Sequence, residues 1–240
     1  MLFQMCYGPE IQTIFESIRR NPGLSRCQLK HTYQYQEEGD ISSLIDGALV
    51  ILKDLNYIHD ENGFLYSNDV DWKVTDIFRK LNRISQTEEE ETLNFVFSTM
   101  YDQVFVKPDK MFVVNIHYQV NSKFSKTMVG HEKINAWKRI MEFLGLGRRV
   151  YSGFYALPQL SLLQEIVREA GEYEGGLQPY CERVIQPILP CITSQGNIFK
   201  GILYGLLALN DQRIIEISCK QDLPYKSYGP NHEWNWIKVQ

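Results

Sequence analysis

Five histidines (His31, His59, His117, His131 and His232) and five cysteines (Cys6, Cys27, Cys181, Cys191 and Cys219) are the side chains best able to hold a metal or attack a substrate. Neither set has the spacing such chemistry needs. No two cysteines form C-x-x-C and their number is odd, which predicts reduced thiols, mostly small core residues, in a cytoplasmic protein. His131-Glu132 is an isolated pair at a helix start, where a carboxylate suits the helix dipole, and H-E-x-x-H is absent. Phosphate-cradling G-x-x-x-x-G-K-[ST] and G-x-G-x-x-G are absent, as is G-x-S-x-G. Gly145 to Arg149 (GLGRR) reads as a helix stop. A nuclease needs an acidic pair beside a lysine. Glu216 and Lys220 share one strand, but Asp222 already falls in the next loop. The expectation is a protein without catalytic residues, metal or cofactor, whose chemistry is binding.

Binding chemistry has two sources here, cations and exposed rings. The chain of 240 residues carries a net charge of −4, which disfavours tight, independent DNA binding, since phosphate neutralisation supplies most non-specific affinity. The charge is uneven. Residues 1–84 hold nine Lys+Arg against twelve Asp+Glu, whereas residues 85–150 hold nine against eight, four of the eight being Glu88 to Glu91. Lys123, Lys126, Lys138, Arg148 and Arg149 are therefore the expected nucleic-acid contacts in the middle of the chain. Lys107, Lys110, Lys133, Arg139, Tyr118 and Phe124 are expected on the same face. Arg26, Lys30, Ser42, Ser43 and Lys53 are the candidates nearer the N-terminus.

The elements that position these groups follow from periodicity and punctuation. Gly8-Pro9 opens a helix with Ile11, Ile14, Phe15 and Ile18 on one stripe, and Asn21-Pro22-Gly23 ends it. Ser25 caps a second helix, Arg26 to about Gln34, and Glu37-Glu38-Gly39 turns the chain. Asp40 caps a third helix, to about Leu55, with Ile41, Leu44, Ile45, Ala48, Leu49 and Leu52 inward. Its outward positions would be Ser42, Ser43, Asp46, Gly47, Val50 and Lys53. Asn56 to His59 and Phe64 to Ser67 are strands around the turn Asp60-Glu61-Asn62-Gly63.

Residues about 9–68 thus resemble the winged helix-turn-helix superfamily over their whole length. That resemblance implies a macromolecule-binding module whose third helix faces the partner. Base readout favours Arg, Lys, Asn and Gln, and this helix offers one Lys, two Ser and Asp46.

A second copy is indicated at a constant offset of 157. Gly39, Ile41, Ile45, Leu49, Leu52, Asp54 and Ile58 recur as Gly196, Ile198, Ile202, Leu206, Leu209, Asp211 and Ile215, seven identities in twenty. Before it lie a helix from Gln159 to Ala170 and a middle helix from Gln178 to Ile188. After it come a strand from Arg213 to Lys220, a loop from Asp222 to Pro230 and a strand from Glu233 to Val239. Phe199, Lys200, Tyr204, Tyr225, Trp234 and Trp236 are the expected protein-interface residues, with Leu203 and Leu207 as further exposed positions.

The predicted fold class is α+β, mostly helical: tandem winged-helix domains (1–84 and 150–240) joined by a locally basic, mainly helical connector (85–149). Leu93, Val96, Phe97, Met100 and Val104 mark one connector helix and His131 to Leu144 another; Met111 to Val120 fits strand or helix. No apolar stretch approaches the ~18 residues needed to span a bilayer, and no signal peptide is evident at the N-terminus. In layout the chain is similar to tandem winged-helix subunits of chromosome-organising ATPases and to small subunits of prokaryotic defence systems. That similarity implies a DNA-associated subunit binding duplex weakly or non-specifically beside a partner protein, an ATPase or nuclease subunit or a second copy of itself. The alternatives are a sequence-specific regulator and a pure protein adaptor.

Overall fold

The computed structural model describes residues 1–34, 39–221 and 226–239. Within them the chain is α+β, about half helical, with three small antiparallel sheets. The expected turn at Glu37-Glu38, the interface residue Tyr225 and the loop residues 222–225 lie outside the described residues.

The first unit is α1 (Pro9–Arg20), β1 (Leu24–Ser25), α2 (Arg26–Tyr33), α3 (Ser42–Asp54), β2 (Ile58–Glu61) and β3 (Phe64–Ser67). Local chemistry explains each boundary. Pro9 sits in the first turn of α1. Ser25 and Gln28 form a reciprocal capping box on α2. Asp40 accepts from Ser42 N at 2.9 Å, so it tethers the start of α3 although the helix begins two residues later. Asp60 accepts from Gly63 N at 3.0 Å and closes the Asn62-Gly63 turn. Leu24–Ser25 pairs with β3, giving a sheet of order β1-β3-β2. Ile45, Ala48, Leu49 and Leu52 are buried as the helical stripe requires. Gly47, expected on the outward face, is buried instead: a Cβ there would meet Cys6 Sγ at 3.0 Å and Gln4 Cβ at 3.2 Å. Only a residue without a side chain lets the N-terminal segment lie so close to α3.

After a linking helix, α4 (Val74–Thr87), the same order recurs. It runs α5 (Leu93–Tyr101) continuing as a π-helical turn (Asp102–Val106), β4 (Phe112–Val113), α6 (Ile116–Lys123), α7 (His131–Phe143), β5 (Arg148–Val150) and β6 (Gly153–Tyr155). The sheet order is β4-β6-β5. The ambiguous run Met111 to Val120 is both strand and helix, and Phe154 carries its unit's central strand into the core. Trp137 is wholly buried there, donating from Nε1 to Phe97 O at 3.0 Å and packed on Phe105 and Phe154. The expected division between residues 149 and 150 falls inside the β5–β6 hairpin. Residues 85–149 therefore supply most of a sheet-containing unit, where the sequence suggested a mainly helical connector.

The third unit comprises α8 (Leu160–Ala170), β7 (Tyr173–Gly176), α9 (Leu177–Tyr180) with a π-helical turn (Cys181–Ile185), α10 (Lys200–Asp211), β8 (Ile215–Ser218) and β9 (Trp236–Val239). Its sheet order is β7-β9-β8. Alternation along β9 buries Ile237 and Val239, with Asn235 also buried just before the strand.

The units agree in detail. Helices α3 and α7 span 42–54 and 131–143, an offset of 89, and α10 ends at Asp211, an offset of 157 from Asp54. Each ends through a left-handed residue at the matching position, Asn56 (φ 53°), Gly145 (φ 79°) and Arg213 (φ 59°). The next amide bonds back to the helix in all three: Tyr57 N to Leu52 O (2.8 Å), Leu146 N to Met141 O (2.9 Å), Ile214 N to Leu209 O (3.0 Å). One continuous core links the units. Linking helix α4 binds the third through Thr75 and Arg79, which donate to Glu169 at 2.8 and 2.6 Å. No helix among the described residues is long and apolar enough to cross a membrane.

Candidate functional site

A groove of about 870 Å³ lies between the first half of α10 and the loop 226–234. Lys200, Leu203 and Tyr204 form one wall, Tyr228 and Trp234 the other, and Asp109 reaches in from the second unit. The loop is tied down rather than open. Tyr228 and Trp234 bond to each other through both backbone amides (2.8 and 3.1 Å). Tyr228 Oη donates to Gln178 Oε1 at 2.5 Å and accepts from Ile198 N at 3.3 Å. Burial pushes this phenol up to about 12, so it stays a neutral donor. Lys226 Nζ donates to Gly196 O (2.8 Å) and Asn197 Oδ1 (3.2 Å). Gly229 (φ 90°) lets the loop turn against the indole; a Cβ there would stand 2.8 Å from Trp234.

The N-terminus of α10 is occupied by the chain itself. Asp109 accepts from Lys200 N at 3.2 Å and pairs with Lys200 Nζ at 3.1 Å. A carboxylate thus takes the place at the helix N-terminus that suits a phosphate oxygen. The expected interface residues divide accordingly. Lys200, Tyr204 (48% exposed) and Trp234 meet in this groove. Phe199 does not: it is fully buried, edge-on to Tyr101, because α10 turns that position into the core. Leu203 is also buried, with one edge on the groove. Trp236 lies on the sheet under Lys220 Nζ, 3.8 Å from the ring centroid.

The cationic nucleic-acid candidates of the first unit are each held by a carboxylate. Arg26 pairs with Asp46 at 2.5 Å, Lys30 with Asp40 at 2.9 Å and Lys53 with Asp60 at 3.2 Å. Ser42 is half-buried and Ser43 exposed on the same helix. In the second unit, Lys126 pairs with Glu91 and Arg149 with Glu142, both at 2.5 Å. Lys138 is not on the surface. It is buried, donates to Ser152 O at 3.0 Å, and desolvation, then Arg149 and Arg139, lower its pKa. Of the expected basic face, Lys110, Lys123 and Arg148 remain exposed without an ion pair among the described contacts.

A second pocket of about 330 Å³ opens in the middle unit between α6, α7 and the β5–β6 turn, lined by Val114, His117, Tyr118, His131, Asn135 and Tyr151 among others. Sequence reasoning placed Tyr118 on a basic face and missed the rest. The signal available was the Tyr151-Ser152 turn, where an aromatic stands at a hairpin tip.

All five cysteines are free thiols, Cys6, Cys181 and Cys191 buried and Cys27 and Cys219 exposed. Among the described residues no cluster of three or more His, Cys, Asp or Glu could hold a metal. Comparison with known protein families, curated proteins and solved structures finds no match.

Proposed function

We propose that the chain is a non-catalytic subunit of a multi-protein complex, built from three winged-helix modules, and that it docks a partner protein in the groove between α10 and the loop 226–234. The observation that carries this reading is the pairing of cations. In the first unit the candidate cations Arg26, Lys30 and Lys53 are each paired with a neighbouring carboxylate, while the large groove of the third unit presents Tyr204 and Trp234. Rings in a preorganised groove are what protein interfaces use as anchors. Duplex contact is then the weak, non-specific kind, at roughly 10⁻⁴ to 10⁻⁶ M. The helix–strand–helix–helix–strand–strand order with the third strand central supports the winged-helix assignment in each unit.

The test uses the purified chain and the products of its neighbouring genes, an ATPase or nuclease subunit being the expected class. The partner should co-purify with the wild type and be lost with Tyr204→Ala plus Trp234→Ala. Retention by the double variant, or sub-micromolar duplex binding at 150 mM salt, would refute the reading.

A further inference from the structure

Tyr151 is fully exposed at the tip of a two-residue turn and has φ 52°. The first residue of such a turn favours Gly when φ is positive, and a bulky side chain in the left-handed region costs about 1–2 kcal/mol. Folding gains nothing from this ring, which touches no core. The turn carrying it is nonetheless fixed from beneath, since the buried Lys138 ammonium holds Ser152 O at 3.0 Å.

Tyr118, 66% exposed, lines the same pocket, and the imidazoles of His117 and His131 stack there with centroids 3.8 Å apart. The His117 tautomer follows from its neighbours. Val129 N donates to Asn121 Oδ1 at 2.8 Å, which fixes the amide so that Nδ2 points to His117 Nε2 at 3.1 Å. Nε2 therefore accepts, and Nδ1 carries a proton that is buried without an acceptor among the described atoms, so the stacked pair serves as a wall of the pocket. None of the residues lining the pocket is a carboxylate, and Lys138 is the cation among them.

Planar rings open to solvent over a lining that holds Lys138 and no carboxylate match one chemistry. We propose that the Tyr118–Tyr151 pocket of the middle unit binds single-stranded nucleic acid, stacking bases on the two tyrosines above the wall that holds Lys138. A duplex does not fit this description, because its base faces are covered by stacking. This surface is separate from the α10 groove and does not depend on it.

The experiment is fluorescence anisotropy of a labelled mixed-sequence 20-nucleotide DNA strand with the purified full chain in 50 mM salt, against a 20-base-pair duplex. The single strand should bind more tightly. Tyr151→Gly and Tyr118→Ala should each weaken it by about 5- to 150-fold, the range for losing one stacked base. Tyr151→Gly suits the positive φ, so its thermal midpoint should be no lower than wild type, which separates lost binding from lost folding. Absence of single-strand binding, equal or tighter duplex binding, or unchanged affinity in both variants each overturns the proposal. A protein partner that competes for this surface while the strand does not bind overturns it equally.

Discussion

Replacing Asp40, Asp46 and Asp60 together by Asn would release Lys30, Arg26 and Lys53 without dismantling the first unit. Asn can still accept from Ser42 N and Gly63 N, the bonds that Asp40 and Asp60 make to the start of α3 and to the turn. The three ion pairs are exposed, so stability should change little. Electrostatics should change much more, because a chain of net −4 rises to about −1 with three cations freed in the first unit. Each phosphate neutralised adds about −0.9 to the slope of log K against log salt, so three add about −2.7. Between 50 and 200 mM salt, that slope alone predicts about a 40-fold loss of duplex affinity for the variant. Anisotropy of a labelled random duplex measures both quantities. The reasoning fails if the wild type already shows a slope of about −3, for then the carboxylates do not restrain the cations. It fails equally if the triple variant binds no more tightly than wild type.

Asp102 gives a pH test: burial raises its pKa above the ordinary carboxylate range, against the smaller effects of Lys107 and Gln103. A carboxyl with a raised folded pKa binds protons better when folded, so stability should rise as pH falls from neutral through that pKa towards 3.8. Asp102→Asn should raise the thermal midpoint at pH 7 and leave it unchanged below pH 4; a lower midpoint at pH 7 would mean that Lys107 and Gln103 outweigh burial. Arg213→Gly, at φ 59°, should stabilise by about 0.5–1 kcal/mol, the left-handed penalty less glycine's greater chain entropy, read from urea midpoints. Trp137→Ala should lose about 3–5 kcal/mol, since it empties the centre of the middle unit and removes the indole's bond to Phe97 O.

Where the sequence was informative, the signals were local. Ser25 with Gln28, Pro9 and Asn62-Gly63 each act within a few residues, and the first unit formed around them as expected. β1 was missed because its two residues are a strand only by pairing with β3, some forty positions on. The same holds for Phe112–Val113, which left the middle unit looking like a connector. Its helix α7 shares with α3 only Ile134, Ile140 and Leu144 at positions 45, 51 and 55, enough to pack a core but too few to announce a repeat. Lys138 was readable. It stands four after Ile134 and three before Met141, so it lies on the apolar stripe of α7 and had to be buried. The groove was half-legible: Lys200, Tyr204 and Trp234 come from one stretch of chain, but Asp109 lies 91 residues from the amide it caps. No periodicity brings such a pair together.

The repeat itself argues about function. One helix position recurs as Asp46, Asn135 and Leu203 at the offsets 89 and 157. Asp46 neutralises Arg26, Asn135 lines the aromatic pocket, and Leu203 floors the large groove. The next position is Gly47 under the N-terminal segment, Ala136 in the core and Tyr204 half in solvent. Backbone geometry at these sites is shared down to the left-handed residue that ends each helix, so the helix itself does not demand the differences, although Gly47 answers to the N-terminal segment packed on it. A chain whose whole task was to track one polyanion would gain most from three similar cationic faces, since counterion release is additive and indifferent to sequence. Three faces of unlike chemistry on one repeated scaffold instead fit a chain that holds unlike partners together.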